Sequence, residues 1–149
     1  MKANTILLVE DNPDDVALTI RAFQKNNFSN PIVMAHDGAE ALEYLFCSGR
    51  YSDRDDSDMP SLILLDLKLP KVDGLEVLRQ LRADPRTQLV PVLILTSSSE
   101  ANDVTRGYRL GANSYVCKPV DYADFLETTR QLGLYWLMVN QPPPGRTRA

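Results

Sequence analysis

Five short apolar runs divide the chain: Ile6-Leu7-Leu8-Val9, Pro31-Ile32-Val33-Met34-Ala35-His36, Ser61-Leu62-Ile63-Leu64-Leu65-Asp66, Val92-Leu93-Ile94-Leu95 and Ser114-Tyr115-Val116-Cys117. Continuous runs of this length, bounded by turn residues, predict strands, and the first, third and fourth read as buried strands.

The segments between them are patterned as helices. Asn12 is placed as an N-cap, with Pro13 at the first helical position and Asp14 and Asp15 as helix-start acids that complement the macrodipole. Val16, Ile20 and Phe23 then share one face, and Asn26-Asn27 is the stop. Asp37 stands three residues before Glu40, the capping-box spacing, ahead of Leu42, Leu45 and Phe46. A polar stretch from Ser48 to Asp58 predicts a surface loop. Asp73 caps a helix carrying Leu75, Leu78 and Leu81, which Asp84-Pro85 ends. Val104, Tyr108 and Leu110 mark a weaker helix closed by Gly111. Asp121 caps a last helix through Phe125, Leu126, Thr129 and Leu132 to Val139, stopped by Pro142-Pro143-Pro144.

The order is therefore strand-helix five times over. Such alternation implies right-handed crossovers and a parallel sheet with helices on both faces. One domain over residues 1–140 and a disordered tail over 141–149 are expected. In open sheets of this kind ligands bind at the carboxyl ends of the strands.

Composition narrows the function. With 44% hydrophobic and 24% charged residues, the chain reads as an ordinary globular protein. No apolar run is long enough to span a membrane, and no signal segment precedes the first strand, so a cytoplasmic location is expected. A formal net charge of −4 argues against a nucleic-acid surface. Cys47 and Cys117 fit neither a disulfide framework nor a zinc spacing and are expected to be reduced, partly buried thiols.

Four strands end in reactive types: Glu10-Asp11, Asp66, Thr96 and Lys118. Taken singly, each has an ordinary explanation, as a helix-start acid, a loop cap or a solvated lysine. Together they converge on one edge of a parallel sheet. Three carboxylates there repel one another unless a cation is present, and hard oxygen donors suit Mg2+. Asp11 and Asp66 are the expected direct ligands, Glu10 acts through a water, and the backbone carbonyl of Lys68 adds an oxygen. Asp66 is then a nucleophile for a phosphoryl group, with the ion removing charge repulsion. Lys118 supplies a point charge and Thr96 a hydroxyl for the phosphoryl oxygens.

The set Leu8-Val9-Glu10-Asp11, Leu64-Leu65-Asp66-Leu67-Lys68-Leu69-Pro70-Lys71-Val72-Asp73-Gly74, Leu95-Thr96-Ser97 and Cys117-Lys118-Pro119 strongly resembles the CheY-like receiver domain of two-component response regulators, over about residues 4–138. The resemblance implies a flavodoxin-like (βα)5 fold with sheet order 2-1-3-4-5. It implies that the phosphoryl group comes from a histidine kinase, that Asp66 accepts it, that Thr96 is the switch hydroxyl, Tyr115 the switch aromatic and Lys118 the phosphate-sensing lysine. It also implies a cis Lys118–Pro119 bond. The protein is then a phosphoacceptor signalling protein that catalyses its own phosphorylation and dephosphorylation, rather than a metabolic enzyme. The long polar segment before the third strand and the ending Leu134-Tyr135-Trp136-Leu137 resemble the small regulators paired with bacterial and cyanobacterial phytochrome kinases. Lys68 departs from the small polar residue common at its position.

The last helix carries more apolar bulk than one core-facing stripe needs: Tyr135, Trp136, Leu137 and Met138. A homodimer is expected through the face made by the fourth and fifth helices and the fifth strand. Output through contacts on that face fits a chain in which no DNA-binding or catalytic output domain is found. Two rivals fail on the residues. A haloacid-dehalogenase-like phosphatase wants a second Asp where Lys68 stands, and a flavodoxin's phosphate loop is incompatible with the acids from Glu10 to Asp15.

Overall fold

The computed structural model describes residues 5–143. Its elements are β1 (Ile6–Val9), α1 (Pro13–Lys25), β2 (Ile32–Ala35), α2 (Gly38–Leu45), β3 (Leu62–Leu65), α3 (Gly74–Ala83), β4 (Val92–Thr96), α4 (Ala101–Arg109), β5 (Ser114–Cys117) and α5 (Tyr122–Gly133). A 3-10 turn at Gly49–Tyr51 lies before β3, and a π-helical turn at Leu134–Val139 continues α5. All strands are parallel, in the order β2-β1-β3-β4-β5, which is the expected flavodoxin-like arrangement.

The continuous apolar runs are explained by two cores, one on each face. Leu7, Val9, Ile63, Leu65, Val92 and Ile94 pack with Ala41, Tyr44 and Leu45 of α2 and with Leu75, Leu78 and Leu81 of α3. The alternate residues Ile6, Leu8, Leu62, Leu64, Leu93 and Leu95 pack with Val16, Ala22 and Phe23 of α1 and Phe125 of α5. Successive strand residues point to opposite faces, so every position in these runs must be apolar. The caps are as expected: Asn12, Asp37, Asp73 and Asp121 each accept a backbone N–H in the following turn.

Four details differ from the sequence reading. Tyr108 is 51% exposed, and the buried residue of α4 is Gly107. A Cβ there would come within 2.8 Å of Ile94 Cδ1, so this helix approaches the sheet through a missing side chain rather than an apolar stripe. The polar stretch before β3 is anchored: Arg54 stacks 3.7 Å over the Tyr44 ring and donates to the carbonyls of Tyr44 and Asp58. Cys117 is exposed, and only Cys47 is partly buried. The Lys118–Pro119 bond is trans, no cis bond being present among the described residues. Trans is the lower-energy isomer of an X–Pro bond by about 0.5–1 kcal/mol. With that bond trans, Lys118 still donates its N–H to the Thr96 carbonyl at 2.7 Å. Of the tail, 141–143 form no regular element, and 144–149 lie outside the described residues.

The sheet edge is held one residue past the strands. The N–H groups of Glu10, Asp66 and Lys118 donate to the carbonyls of Ala35, Val9 and Thr96 at 3.0, 3.1 and 2.7 Å. Backbone ladder bonds thus fix the residues that carry the chemistry. The start of α3 abuts this edge, with the Gly74 N–H on the Leu67 carbonyl at 2.8 Å. A Cβ on Gly74 would lie 2.2 Å from the Asp66 carbonyl oxygen and 2.7 Å from Leu67 Cα, both backbone atoms that cannot rotate away. Gly74→Ala is therefore expected to destabilise the protein by about 2–3 kcal/mol, as overpacking against fixed atoms does. Denaturant unfolding of the variant beside the wild type measures this.

Candidate functional site

Glu10 follows β1, and only 4% of it is exposed. Its carboxylate is used twice: Oε2 accepts the Asn12 N–H at 3.2 Å, and Oε1 accepts from Lys118 Nζ at 2.5 Å. Asp66 follows β3 and is held through both oxygens. Thr96, wholly buried at the end of β4, donates its hydroxyl to Oδ1 at 2.7 Å. Lys118 Nζ lies 3.3 Å from Oδ2. The same ammonium reaches Asp15 Oδ2 in α1 at 3.1 Å. The loop after β1 leaves Asp11 exposed at the mouth.

The charges explain the shifts in protonation. Burial pushes the Glu10 carboxyl up to about 7, against the hydrogen bond from Lys118, and the charge of Asp66 adds to the rise. Burial works to lower Lys118, but the hydrogen bond it donates to Glu10 and the charge of Asp66 outweigh it and hold the lysine above its ordinary value.

One oxygen each from Glu10, Asp11 and Asp66 lie within 4.8 Å of one another. These donors are all hard carboxylate oxygens, and one lysine cannot balance the negative charge of Glu10, Asp11, Asp15 and Asp66. The set fits a small divalent cation such as Mg2+. Lys68 is exposed in the loop after β3, and among the described residues no backbone hydrogen bond occupies its carbonyl.

The structure thus brings Glu10, Asp11, Asp66, Thr96 and Lys118 together. Tyr115 stands apart, half-buried in β5, with its hydroxyl donating to the Ser98 carbonyl at 2.9 Å. Ser98 in turn donates to Asp103 of α4 at 2.6 Å. Sequence reasoning missed the Lys118 contact of Asp15, which it took for a helix-start acid. No local signal sets it apart from Asp14, the other acid of the same first turn.

The family described as "Response regulator receiver domain" matches residues 6–130. The probable methanogenesis regulatory protein FilR2 of Methanothrix harundinacea is 41% identical, with 93% of this chain and 86% of the relative aligned. Response regulator Rcp1 of Synechocystis is 35% identical over 89% of this chain and 88% of its own. Its Mn2+-bound crystal structure superposes with a TM-score of 0.86, at 33% identity, covering 95% of this chain and 99% of that one. The phosphorylated cyanobacterial phytochrome response regulator RcpA gives a TM-score of 0.88 at 34% identity, covering 96% of this chain and 100% of that one.

The elevated Glu10 carboxyl has a measurable consequence. Between pH about 4.5 and 7 the folded protein holds a proton that the unfolded chain releases, so this group's contribution to stability is lost as pH rises through that window. Without divalent cations, Glu10→Gln is expected to flatten the decline by about 1–3 kcal/mol. Urea unfolding of both proteins across that range checks the slope.

Proposed function

Because the chain belongs to the response regulator receiver domain family, we propose that Asp66 is its phosphoacceptor and that a histidine kinase supplies the phosphoryl group. The family is one of two-component signalling proteins, and phosphorylation on Asp and Mg2+ binding are general features of it. The observation that carries the assignment is the opposed grip on Asp66, a hydroxyl on one oxygen and an ammonium on the other.

An oxygen of Asp66 attacks phosphorus, the N–P bond of the kinase phosphohistidine breaks, and an O–P bond forms. The leaving imidazole nitrogen keeps the bonding electron pair. Phosphoryl transfer asks mainly for positioning and charge neutralisation. Lys118 and Thr96 supply both, each passing from an Asp66 oxygen to a phosphoryl oxygen as the acyl phosphate forms. Glu10, Asp11, Asp66 and the Lys68 carbonyl would hold Mg2+, which neutralises phosphoryl charge and orients the group when bound. Dephosphorylation uses the same groups with water as the attacking nucleophile.

Phosphorylation adds about −1.5 to −2 charge, by analogy with hydroxyl phosphates. As Thr96 moves toward the phosphoryl group, Tyr115 leaves the Ser98 carbonyl and turns inward. The face made by α4, β5 and α5 then changes. Since RcpA is by its description a phytochrome response regulator, a phytochrome-type kinase is the proposed partner. Among the described residues no helix is long and apolar enough to cross a membrane, and the proposed location is the cytoplasm.

The same face is the proposed homodimer interface. Leu134, Tyr135, Met138 and Val139 are large and exposed, Met138 to 70%. Trp136 and Leu137 lie half-buried against the core on the α1–α5 side, Trp136 edge-on to the Tyr135 ring, and so shape the patch from beneath.

Incubation with Mg2+ and phosphoramidate, followed by intact mass spectrometry, should add one phosphoryl group to the wild type and none to Asp66→Asn. A phosphorylated variant would move the acceptor elsewhere. In sedimentation, Tyr135→Ser/Met138→Ser should shift dimer toward monomer by at least about tenfold in Kd, since each side chain buries apolar area once per protomer.

A further inference from the structure

Asp15 has no role in the steps above, and its carboxylate does not do what a helix-start acid ordinarily does. It stands in the first turn of α1, with its N–H on Asn12 Oδ1 at 3.3 Å and its carbonyl accepting the Thr19 hydroxyl at 2.8 Å. An acid at this third helical position often folds back onto the backbone N–H of the capping residue. Here that N–H is already taken by Glu10 Oε2. The Asp15 carboxylate reaches instead to Lys118 Nζ, 103 residues away in sequence. Asp14, its neighbour in the same turn, is exposed, and its carboxylate makes no hydrogen bond or ion pair among the described residues.

Three carboxylates share the Lys118 ammonium, but they are not equivalent. Glu10 and Asp66 also belong to the oxygen group that fits a cation, whereas Asp15 does not. Once those oxygens turn to a cation and to phosphorus, Asp15 is the lysine partner left uncommitted. Its side chain is 39% exposed against 13% for Lys118, which puts it on the solvent side of the ammonium. A four-carbon stem delivers its charge reliably only when something fixes its rotamer.

Building on the assignment of Asp66 as acceptor, we propose that Asp15 is a positioning residue that holds Lys118 at the rim of the site, where it meets the incoming phosphoryl oxygen. Asp15 touches no reacting atom and acts through the lysine.

The test compares wild type, Asp14→Asn, Asp15→Asn and Asp15→Glu, phosphorylated by phosphoramidate over a range of Mg2+ and followed by intact mass. The two asparagine variants remove the same charge from the same turn, so their ratio isolates the contact from the field. Asp14→Asn should stay within about twofold of wild type, as expected of an exposed charge screened by salt. At saturating Mg2+, Asp15→Asn should be about five- to tenfold slower than Asp14→Asn, and Asp15→Glu should recover to within about twofold of wild type. Half-saturating Mg2+ should match in the two asparagine variants. Equal rates in those two, or a faster Asp15→Asn, would overturn the proposal. So would a higher half-saturating Mg2+ confined to Asp15→Asn, because Asp15 would then be serving the cation.

A second measurement stands apart from transfer. In carbon-13-labelled protein, the two Lys118 Hε protons should be distinct in wild type and Asp14→Asn and merge in Asp15→Asn as the side chain is freed. An unchanged spectrum in Asp15→Asn overturns the positioning role even if Asp66 takes no phosphate. Absence of phosphate on wild-type Asp66 overturns the acceptor assignment alone.

Discussion

One ammonium held among carboxylates governs this protein. Lys118 Nζ lies within 3.3 Å of oxygens on Glu10, Asp15 and Asp66. Withdrawing such ions from water costs several kcal/mol each unless geometry and hydrogen bonding compensate. Glu10 meets that condition by bonding both its oxygens, and Asp66 by accepting from Thr96 as well as Lys118. The arrangement nonetheless leaves negative charge in excess, and that excess makes the site receptive to a cation. A site neutral by itself would have no use for one.

The rest of the fold keeps this costly arrangement in place. Charged ends could drift if they hung on loops, but Glu10, Asp66 and Lys118 are each tied by a backbone bond to the adjoining strand. Those strands are in turn fixed by apolar packing on both faces. Close-packed interiors deform little, so carboxylates borne on them are held where repulsion would otherwise part them. Even the loop after Asp66 is confined, because α3 begins against its backbone at Gly74.

Much of this was legible in sequence because the fold writes its function at the ends of apolar runs. An abrupt change from Leu65 to Asp66, or from Val9 to Glu10, marks both the end of a strand and a group able to do chemistry. The alternation of runs and helical patterns implied a parallel sheet covered on both faces, whereas the strand order came from the resemblance. What escaped were features that depend on three-dimensional neighbours. Asp15 looks like any acid in a first turn until the fold brings Lys118 to it. Tyr108 fits an apolar stripe, yet α4 rests on the sheet through Gly107, and a missing side chain leaves no hydrophobic signal. Arg54 reads as a loop charge, although an aromatic ring and two carbonyls hold it in place. The isomer of the Lys118–Pro119 bond was inferred from resemblance and not from any local property of the residues.

On the proposed reading, the contact that signalling must break is a weak one. A single neutral hydrogen bond runs from the Tyr115 hydroxyl to the Ser98 carbonyl. Such a bond contributes about 0.5–1.5 kcal/mol net. Bonds from Lys118 and Thr96 to a phosphoryl group are charge-assisted, about 1.5–3 kcal/mol each. Moving an equilibrium from 1:99 to 99:1 takes about 5.5 kcal/mol of differential stabilisation. On the proposed reading those two bonds replace ones that already run to Asp66, so only the difference between them, set against one neutral bond lost, biases the equilibrium. Ser98 also bonds Asp103 of α4, so the loop that releases Tyr115 is the loop that fixes the start of that helix. On the proposed reading, a change of charge at Asp66 reaches the α4–β5–α5 face through Thr96 and the residues next to it in the chain, with no long-range rearrangement of the sheet.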